Sequence, residues 1–359
     1  MEFKIVSKDE EIRAFDSFLA QTSNGHFMQS SFWGNVKSPT WTPLRVVVQD
    51  KEKIIAAAQI LKRTLPFIPL SIFYLPRGPV LNDYTDLHLF SFLLTQLIKL
   101  ARSHRAIFIK IDPCIAADRH EIKRFLVKNG FRPTEEEHSF GGLQPKYTFR
   151  LKIDAAEEDI FNAFPKKIRY KIRYGPRKGV EFRRRGAEGL DGFFSVMQKT
   201  ADRSGFVERE AEYYAKVFRI LHSADMAALI TGHYEGKVIC ASMTFAFGNK
   251  AWAAYGAQGD EYRNLYAYHA MIWERIKWAK EKGAQIFDFF GVPGEVDKEH
   301  PLYGIYHFKK SFGGDFQEFI GEYDLPINRP LYYVWKRLIP RLRRLLLKVK
   351  KFFRKKTRR

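Results

Sequence analysis

Asp288–Pro326, DFFGVPGEVDKEHPLYGIYHFKKSFGGDFQEFIGEYDLP, is the stretch from which the rest of the chain is read. It begins within the apolar run Ile286–Phe290, which carries one acid, predicts a buried strand, and stops at Gly291 and Pro293. From Tyr303 to Gly314 aromatics and glycines interleave with the pair Lys309-Lys310, ahead of a strand-like run over Phe316–Tyr323. Closely spaced glycines let a substrate or backbone come near, and a lysine held among rings away from bulk water acts strongly on developing negative charge. The pattern predicts an oxyanion site.

Outward from this stretch, 359 residues exceed the usual size of one domain, so two well-buried cores are expected. A hydrophobic content of 45%, with 32 Phe and 17 Tyr, fits a globular body. Cys114 and Cys240 form no CxxC pattern, which points to a reducing cytoplasm and away from a cysteine metal site or a disulfide framework. No uncharged apolar run reaches the ~18 residues of a membrane span, and acids run through Met1–Ala20, so neither a span nor a signal peptide is read. HExxH, GxSxG, DFG and GxxxxGK[ST] are absent, which removes zinc hydrolase, serine hydrolase, kinase and P-loop chemistry. His307 lies in the opening stretch; a lone histidine there reads as a packing residue, with a base as its alternative.

Local patterning repeats. Arg45–Val48 and Ile54–Leu61 predict a hairpin, Ile72–Leu75 a strand, Leu87–His104 a helix, and Ile107–Pro113 a strand with Asp112 at its end. In the second half Ala227–Tyr234 and Val238–Phe247 predict a hairpin, Ala251–Gly256 a strand, Ala267–Lys282 a helix, and Ile286–Phe290 the strand that carries Asp288. Hairpin, strand, long helix and buried strand thus occur twice, which implies an α/β (α+β) chain of two duplicated domains with a boundary near Lys146.

The net charge of +21 is unevenly placed. Lys336–Arg359 holds thirteen Lys/Arg and no acid, and Leu342, Leu345, Leu346, Val349, Phe352 and Phe353 recur at helical steps. A basic amphipathic helix there fits an anionic membrane surface, at about 1 kcal/mol per base near the headgroups; the alternative is a docked terminal helix with a frayed basic end. Pro165–Arg185 holds ten bases against Glu181 alone, with Tyr170 and Tyr174 between them. Phosphates attract such clusters and nucleotides stack on the tyrosines, so Lys166, Lys167, Arg169, Lys171, Arg173, Arg177 and Lys178 are candidate RNA contacts. An ordinary basic surface helix is the other reading, and an anionic headgroup would suit the pattern as well.

Several blocks, in consistent order from Phe27 to Leu331, resemble the FemABX family of aminoacyltransferases that build peptidoglycan interpeptide bridges. They are FMQSSFWGNVK (Phe27–Lys37), YLPRGPV (Tyr74–Val80), Phe108–Asp112, GLQPKYTFRLKI (Gly142–Ile153), IRYKIRYGPRKGV (Ile168–Val180), TADRSGFVEREAEYY (Thr200–Tyr214), YRNLYAYHAMIWERIKWAKEKGAQIFDFFGV (Tyr262–Val292) and the closing LYGIYHFKKSFGG…FIGEYDLP. The resemblance implies two tandem acetyltransferase-like (GNAT) domains: residues 1–146, expected to be completed by 317–335, and 147–316 with the active-site channel, followed by the basic tail 336–359. With no heptad run to build the helical arm of some members, the chain resembles the arm-less subgroup.

The resemblance further implies transfer of an amino acid from aminoacyl-tRNA to the stem-peptide side-chain amine of a peptidoglycan precursor. Matching positions place Lys309 at the oxyanion with Phe308 beside it, and Asp112 as a channel acid for the incoming ammonium, with a strand-end cap as its alternative. Lys37 and Arg209 fall on the phosphate-binding positions, with Tyr213 and Tyr255 lining the pocket. No metal or cofactor is expected, since the donor ester is already activated. The basic tail favours lipid II over UDP-MurNAc-pentapeptide as acceptor, and a cytoplasmic monomer on the inner face of the membrane is expected. Two competing readings are an acyl-CoA-dependent acyltransferase of the same fold, against which stands the lack of a pyrophosphate-cradling glycine turn near Gly256–Asn264, and a non-catalytic RNA- or membrane-binding scaffold.

Overall fold

The computed structural model describes residues 1–134, 142–204 and 209–338. The first half supplies β1 (Glu2–Val6), α1 (Asp9–Gln21), α2 (Ser31–Lys37), β2 (Thr42–Asp50), β3 (Lys53–Thr64), β4 (Ser71–Leu75), β5 (Val80–Leu81), α3 (Leu87–Ser103), β6 (Ala106–Ile111), α4 (His120–Lys128) and β7 (Arg132–Pro133). Then come β8 (Tyr147–Lys152), α5 (Glu157–Ala163), α6 (Lys166–Arg177), β9 (Glu181–Arg185), α7 (Leu190–Ser204) and α8 (Ala211–Ser223). The remainder is β10 (Ala227–Tyr234), β11 (Lys237–Phe247), β12 (Lys250–Gln258), α9 (Ala267–Glu281), β13 (Ile286–Asp288), α10 (Tyr303–Lys310), β14 (Asp315–Glu318) and β15 (Tyr323–Pro326).

Two sheets result, ordered β1-β2-β3-β4-β6-β15-β7, with β5 beside β3, and β14-β8-β13-β12-β11-β10-β9. Each contains an antiparallel hairpin (β2–β3, β10–β11), a further strand (β4, β12), and a helix (α3, α9) that carries the chain to a parallel neighbour (β6, β13). The parallel step follows from the sequence, because a helix long enough to span a sheet returns the chain in the same direction. In α3, Leu89, Phe90, Leu93, Leu94, Leu97 and Ala101 form one buried face, and Asp86 caps it by accepting from the Leu89 N–H at 2.8 Å.

The strand-like run Phe316–Tyr323 is not one strand. β14 pairs with β8 in the second sheet, whereas β15 pairs with β6 in the first. Its apolar side chains belong to two cores: Phe316 stacks on Tyr147 at 5.7 Å, while Tyr323 and Leu325 pack with Ile109 and Ile111. Gly321, at φ +83°, takes the left-handed turn between them. The segment bearing Lys309 is also helical, as α10. A second crossing runs the other way: Phe27, from the first half, lies 5.3 Å from Phe245 and 5.1 Å from Trp252 in the core of the second sheet. The basic tail beyond residue 338 lies outside the described residues.

Candidate active site

The centre of the site is Lys309, in the last turn of α10. Its ammonium donates to the carbonyls of Phe290 (3.2 Å) and Gly291 (2.7 Å), just past the end of β13. β12 and β13 pair from Lys250↔Ile286 to Trp252↔Asp288 and no further, although β12 runs on to Gln258, so the two parallel strands part where Lys309 enters. The residue is partly buried but its ammonium lies deep. Burial pushes its pKa down to about 7, against the attraction of Asp288, with Arg275 adding to the fall. An ammonium has three N–H groups, and among the described residues two of these have acceptors, so one is left able to meet a further oxygen.

Asp288 holds the carbonyls that receive Lys309. It is 3% exposed and accepts from Thr148 Oγ1 (2.6 Å), the Phe290 N–H (2.8 Å) and Arg150 Nε (2.9 Å). Arg275, 1% exposed, sits below, donating to Thr244 Oγ1 (2.8 Å), the Met243 carbonyl (3.1 Å) and the Tyr268 hydroxyl (3.3 Å). Neither was singled out from sequence. A signal for Arg275 existed, since it lies four residues from Met271 and Ala279 on the buried face of α9. The backbone over Tyr268 is equally constrained, because a Cβ at Gly256 would meet that hydroxyl at 1.7 Å.

Phe308 packs against His269 (5.0 Å), Phe312 (5.3 Å) and Tyr268 (5.7 Å). This ring cluster connects the site to the basic helix α6. Ile168 and Ile172 turn α6 inward, and Lys171 lies over the Tyr266 ring at 5.1 Å. Burial, and then the nearby Lys171 charge, take the His269 imidazole down to about 4. Lys166, Lys167, Arg173, Arg177 and Lys178 are exposed, Arg169 and Lys171 half-buried, and Tyr170 is 56% exposed. Among the described residues none of the seven bases forms an ion pair with a carboxylate. The face is therefore an uncompensated positive field that ends beside Phe308.

The four substrate-binding candidates converge although Lys37 comes from the first half of the chain and the other three from the second. Anchoring of Phe27 and Trp33 in the second core brings α2 against α8, and Lys37 Nζ donates to Tyr213 Oη at 2.9 Å. Lys37 also lies over the Trp33 ring (4.5 Å), and Arg209 over the Tyr213 ring (5.3 Å). Burial would raise the Tyr213 hydroxyl, but Lys37, then a hydrogen bond with Tyr255 and then Arg209 pull it below its ordinary value; Tyr255 itself is pushed well up by burial. Two cations fixed on aromatic faces suit an anionic ligand.

Asp112 is not brought into this group. At 2% exposure its carboxylate accepts from Tyr74 Oη (2.8 Å) and the Arg77 N–H, and burial raises its pKa to about 7. In this position it fixes the Pro76–Pro79 turn, and with it Arg77.

A family model described as the FemAB family matches residues 11–231 and 222–339. A lipid II:glycine glycyltransferase of Staphylococcus haemolyticus (strain JCSC1435) is 27% identical, the match covering 93% of this chain and 96% of that protein. The protein of the same name from Staphylococcus aureus (strain MRSA252) is 26% identical, covering 95% and 97%. A crystal structure of FemX superposes with a TM-score of 0.85 at 25% identity, over 93% of this chain and 99% of that one. A tandem GNAT protein from the clavulanic acid biosynthesis pathway shares the fold, with a TM-score of 0.55 at 11% identity over 91% and 98%.

Proposed function

Because this chain belongs to the FemAB family, we propose that it moves an amino acid from aminoacyl-tRNA to the stem-peptide side-chain amine of a peptidoglycan precursor, forming interpeptide bridges. The observation that carries the reading is the buried Lys309 ammonium, with one N–H unused, at the inner end of an uncompensated basic face. The tRNA backbone lies along α6, and its 3′ end passes Phe308 to Lys309. The acceptor's phosphates lie on Lys37 and Arg209.

In the reaction the neutral amine attacks the ester carbonyl, and negative charge grows on the carbonyl oxygen. The free N–H of Lys309 meets that oxygen; a preorganised donor of this kind lowers the barrier by about 3 kcal/mol. The amide C–N bond forms, the ester C–O bond breaks, and the amine proton leaves with the ribose oxygen. The ester supplies the driving force, so the step balances without ATP.

Lipid II is the favoured acceptor over UDP-MurNAc-pentapeptide, in keeping with the names of the glycyltransferase relatives and with a tail suited to an anionic inner leaflet. The reading is tested by incubating the protein with charged tRNA and either precursor and weighing the product. An increment equal to one or more amino-acid residues is expected, with lipid II converted faster; an unchanged mass with every aminoacyl-tRNA refutes it. For the tail, the full chain is expected to sediment with anionic vesicles at least ~10-fold better than a chain ending at Tyr333. Equal sedimentation would exclude the membrane role.

A further inference from the structure

A small cavity lies between the two sheets, against the Phe290–Gly291 backbone whose carbonyls receive Lys309. Arg77, Arg150, Trp252, Asp288 and Phe319 line it together with Phe290 and Gly291. About 10 Å³ is open to the centre of a water-sized sphere, room for one such group. Both guanidiniums lie over the Phe319 ring, each 5.1 Å from its centroid. Asp288 is the one carboxylate in the wall, and both its oxygens are engaged by Thr148, Phe290 and Arg150.

The rest of the wall is rich in donors. Arg77 is 5% exposed and spends one Nη on the Pro145 carbonyl (2.7 Å), yet its buried Nε has no partner. Trp252 is 1% exposed and its indole Nε1 also has none. Orphaned buried donors cost stability and persist where a ligand uses them. The cavity shares Cys114, Arg150 and Phe319 with a groove of about 340 Å³, whose walls include Asn82, Thr85, Arg119 and Gln317. That is the size and polarity of a site for a short peptide.

We propose that this cavity binds a carboxylate of the acceptor peptide, the groove receiving the adjoining residues. The acceptor's peptide end supplies carboxylates, and the cavity has room for one of a carboxylate's two oxygens, the other staying at its mouth beside the groove. The proposal rests on the acceptor reading above and deepens it: the carboxylate anchors the peptide beside the backbone that also holds Lys309, which brings its amine towards the donor ester. Arg77, held by Asp112 through the turn it occupies, is then a specificity determinant, and Asp112 is a positioning residue for it.

The test uses the full-length protein and a set of stem-peptide acceptors in which each carboxylate in turn is converted to the primary amide. Binding is followed by calorimetry and transfer is followed separately. Amidation of one carboxylate is expected to weaken binding by wild-type protein about tenfold or more. Arg77→Met is expected to bind the acid form as weakly as wild type binds that amide, with no further loss on amidation. Trp252→Phe, which removes one N–H and keeps a ring, is expected to move the same way by a smaller factor and covers failure of Arg77→Met to fold. If every amide binds like its acid, or if amidation costs the same in wild type and both variants, the pocket proposal is overturned. A protein that prefers one acid form but transfers nothing keeps the pocket and loses the reaction; one that transfers without that preference keeps the reaction and loses the pocket.

Discussion

Lys309→Met is expected to lower kcat by about 10²–10³ without loss of stability, because it deletes the donor proposed for the oxyanion while removing a charge that burial disfavours. The stability arm follows from the sign of the shift. The folded-state pKa of about 7 lies below the ordinary value of 10.5. Between those values the unfolded chain binds the proton and the folded one does not, so the lysine's unfavourable contribution is largest below about pH 7 and fades as pH rises towards 10.5. Methionine keeps most of the stem packing, so the unfolding midpoint at neutral pH is expected to stay level or rise. A variant that turns over at the wild-type rate would remove the oxyanion role, and one that melts well below wild type would show that Lys309 holds the fold.

The same shift sets a pH signature. Only the ammonium stabilises an oxyanion, so this contribution is lost as pH rises through about 7. The acceptor amine, which must be neutral, pulls the profile the other way. Lys309→Arg separates the two, because a guanidinium stays charged throughout. The ratio of wild-type to Lys309→Arg rates is expected to fall as pH rises through about 7. A ratio rising over that range would assign the lysine to proton abstraction instead.

Asp288→Asn is expected to cost about 3–5 kcal/mol of stability, the usual consequence of removing one partner of a buried ion pair. Its carboxylate joins Arg150 on β8, Thr148 on the same strand and the Phe290 N–H. An amide cannot neutralise Arg150, whose side chain is 21% exposed. The substitution also frees the Phe290–Gly291 backbone whose carbonyls receive Lys309, so kcat falls with stability. Denaturant unfolding monitored with kcat checks both. A midpoint loss equivalent to under ~0.5 kcal/mol would show that solvent already screens the pair.

Much of the α/β pattern was legible because it is local. The hairpin, strand and long helix of each half announce themselves by periods of two and 3.6 residues, and the last strand of each, ending near Asp112 and Asp288, by its apolar run. The basic helix α6 was visible for the same reason, its two isoleucines marking the inward face. The run Phe316–Tyr323 misled because alternation states that a segment pairs but not with which sheet. The helix bearing Lys309 gave no clear period, being short and interrupted by Gly304.

The sequence by itself therefore determined the repeated hairpin, strand and long helix of each half, and the residue types able to meet an oxyanion, since these depend on neighbours a few positions apart. Only the tertiary structure decided that Lys37 touches Tyr213, that Asp288 and Lys309 share the Phe290–Gly291 backbone, and that Arg77 and Arg150 lie over one phenylalanine. Those pairings join residues far apart in the chain, and their charges are tuned by burial. Burial is a property of the packed cores, which no local pattern encodes.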